Sequence, residues 1–140
     1  MTEIKPLNWV PTPGIGYTVV RRADGGMHLT FTDLSDATIK HWYEFSSEHL
    51  LGSDRLTRNL YDLRQVDEIP EKAIHTAIEL NTDPAARNIR LAVVVANQKV
   101  AEAIRLIAAG TLPETAAAIK IFTDMDEAEA WLSRPLDRIP

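Results

Sequence analysis

The side chains in this chain that could do chemistry are carboxylates, histidines and serines, because its 140 residues include no cysteine. That absence removes any disulfide framework, thiolate metal site or cysteine nucleophile. Ser35, Ser46, Ser47, Ser53 and Ser133 lack the Gly-x-Ser-x-Gly turn that lifts a hydrolytic serine out of its sheet. His28, His41, His49 and His75 include no i, i+4 pair that would set two imidazoles on one helix face around a metal, so each reads as structural or solvent-facing. Asp62 is a different case. A carboxylate between Tyr61 and Leu63 must find donors or have its pKa raised. Arg64 or nearby loop amides could satisfy it; otherwise it is a candidate acid or base, partnered by His75 or another carboxylate.

Asp33, Asp36, Asp67, Glu68, Glu71, Asp124 and Asp126 crowd the predicted starts of helices. Carboxylates there cap backbone N–H groups and complement the helix dipole, and they oppose a phosphate ligand. A hard cation is the alternative, although no ligand spacing among them is diagnostic. Gly14-Ile15-Gly16 precedes a strand instead of following one, the wrong context for a dinucleotide fingerprint. We therefore expect no metal and no cofactor, with no catalytic residue assigned.

The elements that position these groups follow from periodicity. Tyr17 to Arg22 and Met27 to Thr32 alternate about Ala23-Asp24-Gly25-Gly26, which predicts a hairpin whose Met27, Leu29 and Phe31 share one face. Ser35 is placed to cap a first helix ending near Gly52, with Ile39, Trp42, Tyr43 and Ser46 along one stripe. A short strand at Asn59 to Leu63 leads to a second helix opened by Pro70 at its first position, with Ala73, Ile74, Ala77 and Ile78 inward. The run Ile89 to Ala96 has the continuous apolar character of a strand covered on both faces. Asn97 caps a third helix carrying Val100, Ala101, Ile104, Ile107 and Ala108 and ending at Gly110. Ala118 to Thr123 is the last strand, and Asp124 with Glu127 has capping-box spacing for a final helix that turns Ala128, Trp131 and Leu132 inward and stops at Pro135.

The resulting order is β-β-α-β-α-β-α-β-α, an α/β chain with a mixed, mostly parallel five-stranded sheet and four helices. Strands two to five should run parallel and the first antiparallel beside the second. The ligand edge of such a sheet lies outside the carboxyl ends of its strands. Arg64, Glu71, Lys72, Asn97 and Gln98 fall on that edge and are the candidate ligand- or partner-binding residues, together with Trp42 and Tyr43 of the first helix. A helix cannot bury Trp42, Tyr43 and Phe45 on one narrow stripe. Either the N-terminal arm packs over one of them, or they border an apolar pocket or a homodimer surface.

Composition narrows the partners. A formal charge of -5, from 20 acidic and 15 basic residues, opposes nucleic acid, and the arginine pairs are scattered among acidic neighbours. No run approaches the roughly 20 apolar residues of a membrane span, and no signal-peptide core precedes Gly16, so a cytoplasmic location is expected. Residues 1–16, rich in proline and glycine, read as an extended arm pinned by Trp9, residues 17–134 as a single domain, and residues 135–140 as a tail.

Three segments carry a family resemblance: Leu29-Thr-Phe-Thr-Asp33-Leu-Ser-Asp, Leu60-Tyr-Asp-Leu-Arg-Gln-Val66 and Ile119-Lys-Ile-Phe-Thr-Asp-Met-Asp-Glu-Ala-Glu-Ala-Trp-Leu132. With the element order they resemble small bacterial STAS-domain proteins of the SpoIIAA-like group, relatives of the anti-sigma-factor antagonists, over about residues 17 to 132. The resemblance implies a STAS-like fold and a regulatory role through a protein partner. In the antagonists a serine at the start of the helix after the third strand is phosphorylated, whereas the matching stretch here is Ile69-Pro70-Glu71-Lys72-Ala73, with no hydroxyl. The same switch cannot operate, and Glu71 at best imitates a permanently charged state. Some members are compared in shape with CRAL-TRIO lipid-binding domains, so the resemblance also allows a small apolar or lipid ligand. Our reading is a non-enzymatic STAS-like binding or regulatory module; the alternative is a small acid/base or cation-dependent enzyme using Asp62 and the carboxylates of the edge.

Overall fold

The computed structural model describes residues 12–23, 26–49, 57–81, 89–110 and 118–134. Along the chain these form β1 (Tyr17–Arg21), β2 (Met27–Phe31), α1 (Asp36–His49), β3 (Thr57–Asp62), α2 (Glu71–Asn81), β4 (Ile89–Val94), α3 (Gln98–Ala109), β5 (Ala118–Phe122) and α4 (Met125–Leu132). The expected order is therefore the observed one. Most of the arm (residues 1–11), Gly52 and the tail (residues 135–140) lie outside the described residues.

The strands lie in the order β1-β2-β3-β4-β5. β1 runs antiparallel to β2, and every later neighbour pair is parallel. Each crossover from β2 to β5 steps to the adjacent strand in one direction, so the right-handed rule places α1, α2 and α3 on the same face. Met27, Leu29 and Phe31 point to that face, with Val93, Ile104 and Ile107, in the larger core. α4 is followed by no strand, so crossover handedness does not constrain it. It folds onto the opposite face, where Ala128 and Leu132 cover Leu60, Ala92, Val94 and Phe122. Burial on both faces explains the apolar run from Leu91 to Val94 in β4. α4 leaves the same face of β1 open, and Val20 there is 62% exposed.

Several helix boundaries have visible chemical causes. The Thr38 N–H donates to Ser35 Oγ at 3.3 Å, the Val100 N–H to Asn97 Oδ1 at 2.8 Å and the Glu127 N–H to Asp124 Oδ2 at 3.0 Å, the three expected caps. Pro70 stands one residue before α2, not within it, and its carbonyl accepts from the N–H groups of Ala73 and Ile74. Ala108 is exposed, contrary to the expected stripe, because α3 turns Ala103 inward instead. At α1 the Ser35 N–H and the Thr38 hydroxyl donate to Asp33 Oδ1 at 2.9 and 2.7 Å, and the Gly16 N–H donates to Thr38 Oγ1 at 2.8 Å. These bonds hold the Asp33 carboxyl below its usual range, the backbone bond from Ser35 first and the Thr38 hydroxyl next.

Candidate functional site

The parallel strands deliver the starts of α1, α2, α3 and α4 to one edge, as the sequence implied. Exposed side chains there bridge neighbouring elements. Lys72 Nζ lies 3.5 Å from Asp36 Oδ1, joining α2 to α1, and Lys99 Nζ lies 2.8 Å from Glu68 Oε2, joining α3 to the loop after β3. Asn97 Nδ2 donates to the Asp67 carbonyl at 3.3 Å, so one side chain both caps α3 and holds that loop. Lys99 lowers the pKa of Glu68 by hydrogen bond and charge, and Glu68 raises that of Lys99 in return. Such solvated pairs contribute little to stability, but they give the edge a defined pattern of charge. Gln98 is exposed beside them, and Glu71 faces outward with its Oε1 3.4 Å from His75 Nε2.

Asp62 finds its donors locally. The Arg64 backbone N–H and Nε each donate to Oδ1 at 3.0 Å, and Nη2 donates to Oδ2 at 2.8 Å. The Arg64 side-chain bonds hold the carboxyl below its usual range, overcoming the opposite effect of burial, so Asp62 is anionic at neutral pH. His28, across the strand pair on the same face, also favours the charged form, and its Nε2 is buried without a partner among the described residues. His75 stands exposed on α2 against Glu71 and does not converge on Asp62. The acid/base alternative loses His75, one of its two expected partners.

A cavity of about 100 Å³ lies between α1, α2, α3 and the sheet. Its walls are almost wholly apolar, with Ile39, Ala77, Val93 and Ile107 among them, and its polar lining is Trp42, Ser46, Tyr61 and the buried Asn59, whose Oδ1 accepts from the Met27 N–H. Trp42 Nε1 donates to Tyr61 Oη at 3.1 Å. Burial pushes the Tyr61 phenol up to about 12, against the opposing effect of hydrogen bonding from Trp42. The Ser46 hydroxyl approaches closely enough to act on Tyr61 but lacks the geometry of a full hydrogen bond. Of the three α1 aromatics, Trp42 alone lines the cavity. Tyr43 turns outward at 37% exposure, correcting its place on the inner stripe. Phe45 is buried instead and packs edge-on against Tyr17, ring centroids 6.3 Å apart.

The sequence reading missed Tyr61 as a lining group and missed the bond between Tyr17 Oη and His41 Nδ1, 2.6 Å long. A tyrosine alternating with buried neighbours in a predicted strand signals a phenol that needs a partner. Its partner is nineteen positions away on a helix, so spacing alone could not name it. Trp42 thus belongs to the cavity, while Arg64, Glu71, Lys72, Asn97 and Gln98 belong to the edge. Among the described residues no group of three or more histidines, aspartates and glutamates is placed to hold a metal, and no helix is long and apolar enough to cross a membrane.

Solved structures share this arrangement. An uncharacterized DUF3478-family protein with a SpoIIAA-like fold from Shewanella loihica superposes with a TM-score of 0.62 at 18% identity, over 89% of this chain and 99% of that one. The fold is SpoIIAA-like. A provisionally assigned anti-sigma factor antagonist from Thermotoga maritima gives a TM-score of 0.63 at 15% identity, over 84% of this chain and 95% of its own. A solution structure of that same Thermotoga protein, TM1081, gives 0.58 at 17% identity, over 96% of this chain and 100% of its own. No protein-family model matches the chain, and no curated protein does. At these identities the likeness bears on the fold and leaves the chemistry of the site to the residues themselves.

Proposed function

We propose that this chain is a non-enzymatic regulatory module that takes a small apolar ligand into the cavity beneath α1 and presents the carboxyl edge of its sheet to a protein partner. The observation that carries the ligand reading is the apolar cavity itself, with Trp42 and Tyr61 supplying one polar corner. Apolar walls around about 100 Å³ of space leave packing contacts unmade, and an occupant of matching shape makes them. That volume accepts a single six-membered ring or a short branched alkyl group. Benzene is therefore the first probe. It should raise the unfolding temperature of the protein and perturb Trp42 fluorescence, and Ala77→Val, which adds volume to the cavity wall, should weaken both responses. Absence of any shift in the wild type, or an equal shift in the variant, overturns the reading. Xenon-129 resonance shifts provide the same test if the variant proves unstable.

The edge supports the protein-partner part of this reading. Lys72 with Asp36, Lys99 with Glu68 and Asn97 with Asp67 fix a polar surface from four segments, leaving Glu71 and Gln98 outward. The resemblance to antagonists supports a protein there, with Glu71 carrying a constant charge where those proteins switch theirs. Charge reversal at Glu71 should then abolish capture of the partner, while benzene binding in the cavity stays unchanged.

A further inference from the structure

A second concavity, of about 760 Å³, lies on the other side of the molecule from the apolar cavity's α1 wall. It opens where α3 leaves β4 toward one face and α4 leaves β5 toward the other, the only such divergence among the described helices. In open α/β sheets that switch of faces creates a crevice at the strand ends. Asn97, Gln98 and Thr123 line its mouth, and Ala101, Phe122 and Trp131 supply apolar walls.

The charge of this groove sets it apart from the rest of an acidic chain. Arg105 comes from α3, Lys120 from β5 and Arg134 from the end of α4, all three exposed. Glu127 is the one carboxylate on the same lining. Elsewhere Arg22, Arg64, Lys72 and Lys99 each meet a carboxylate, but among the described residues none lies within ion-pair distance of Arg105, Lys120 or Arg134. Lys120 Nζ instead sits 5.6 Å from the centroid of the Phe122 ring, itself 5.8 Å from that of Trp131. These three cations, from three elements and without an ion-pair partner among the described residues, share one concavity with the edges of Phe122 and of Trp131, whose ring Arg90 overlies at 5.4 Å; the combination matches an occupant with an anionic head and an aromatic or apolar body.

We propose that this groove is a binding site for an amphipathic organic anion, its sulfonate, carboxylate or phosphate held by Arg105, Lys120 and Arg134 and its body laid against Phe122 and Trp131. The site is separate from the cavity under α1, so either can fail without the other. The test uses two fluorescent probes of similar shape, the anion anilinonaphthalene sulfonate and the neutral phenylnaphthylamine. The wild type should bind the sulfonate at least tenfold more tightly, with energy transfer from tryptophan to the dye. The triple variant Arg105→Gln, Lys120→Gln, Arg134→Gln should lose that preference, and Ala130→Trp, at an exposed position of the lining, should block both dyes. Circular dichroism and the unfolding temperature check that the variants are folded. Equal affinity of the wild type for both probes, or retention of the preference by a folded triple variant, overturns the proposal. Inorganic phosphate as competitor then separates recognition of the anion alone, in which it displaces the sulfonate, from recognition of the whole amphipath, in which it does not.

Discussion

Substituting alanine for Gly16 tests how the start of α1, and with it Trp42, is held in place. A Cβ built on Gly16 collides with the carboxyl group of Asp33, including Oδ1 at 2.7 Å. The Asp33 side chain cannot swing away freely, because it accepts from the Ser35 N–H and the Thr38 hydroxyl. Gly16 itself donates to Thr38 Oγ1, which is fully buried. Among the described residues Gly14 is the glycine with positive φ, so nothing in the backbone of Gly16 forbids alanine. With free space around it, the change would stabilise by about 0.4–1 kcal/mol through the unfolded chain. Instead, losing the Asp33 bonds to the Ser35 N–H and the Thr38 hydroxyl costs about 1 kcal/mol and losing the bond from the Gly16 N–H to Thr38 about 1 kcal/mol, a destabilisation of roughly 2 kcal/mol. Urea unfolding should show the midpoint falling by about 1 M with an unchanged slope. In an Asp33→Ala background the collision is gone, and Gly16→Ala should cost less than about 0.5 kcal/mol. Additive effects of the two substitutions, or a stabilised single variant, would refute the reasoning.

Asp62→Asn should lower stability by about 1 kcal/mol at neutral pH, measured by urea unfolding, because it removes the charge from a buried carboxylate whose partner Arg64 is half exposed and screened by solvent. The folded pKa of Asp62 is lowered, so its contribution is complete above the unfolded value of 3.8 and is lost as pH falls through the folded one; the stability gap between wild type and variant should narrow on that acid limb. Tyr61 is raised from 10.0 to about 12, so its contribution is complete below pH 10 and is lost as pH rises toward 12; absorbance titration should show one tyrosine ionising late. Trp42→Phe removes a hydrogen bond that favours the phenolate, so it should delay that ionisation further, and an earlier one would contradict the assigned geometry. Leu132→Ala should cost about 2–5 kcal/mol, because a fully buried side chain anchors α4 to its face of the sheet.

Local chemistry was enough to read the elements and their order. The alternation of Met27, Leu29 and Phe31, the apolar run from Leu91 in β4 and the caps Asn97 and Asp124 are signals contained within a few residues. Crossover handedness then extends local reading to the parallel sheet and to the edge carrying Arg64, Glu71, Lys72, Asn97 and Gln98. Asp62 was readable for the same reason, since its partner Arg64 is two positions away. Tyr43 was misplaced because a single apolar stripe on α1 admits either Tyr43 or Phe45, and packing against Tyr17 selects Phe45.

Tertiary structure alone decided which distant side chains meet. The face taken by α4 follows from no crossover rule; β4 and β5 fix it by leaving Ala92, Val94 and Phe122 to be covered. Arg22 reaches Glu129 across 107 positions, Trp42 reaches Tyr61 from a helix to a strand, and Arg105, Lys120 and Arg134 come to one groove from three elements. Patterns of a few residues record which side of a strand or helix is apolar. The neighbours across a sheet or beneath a helix depend on the joint packing of every element, and no window of sequence contains that.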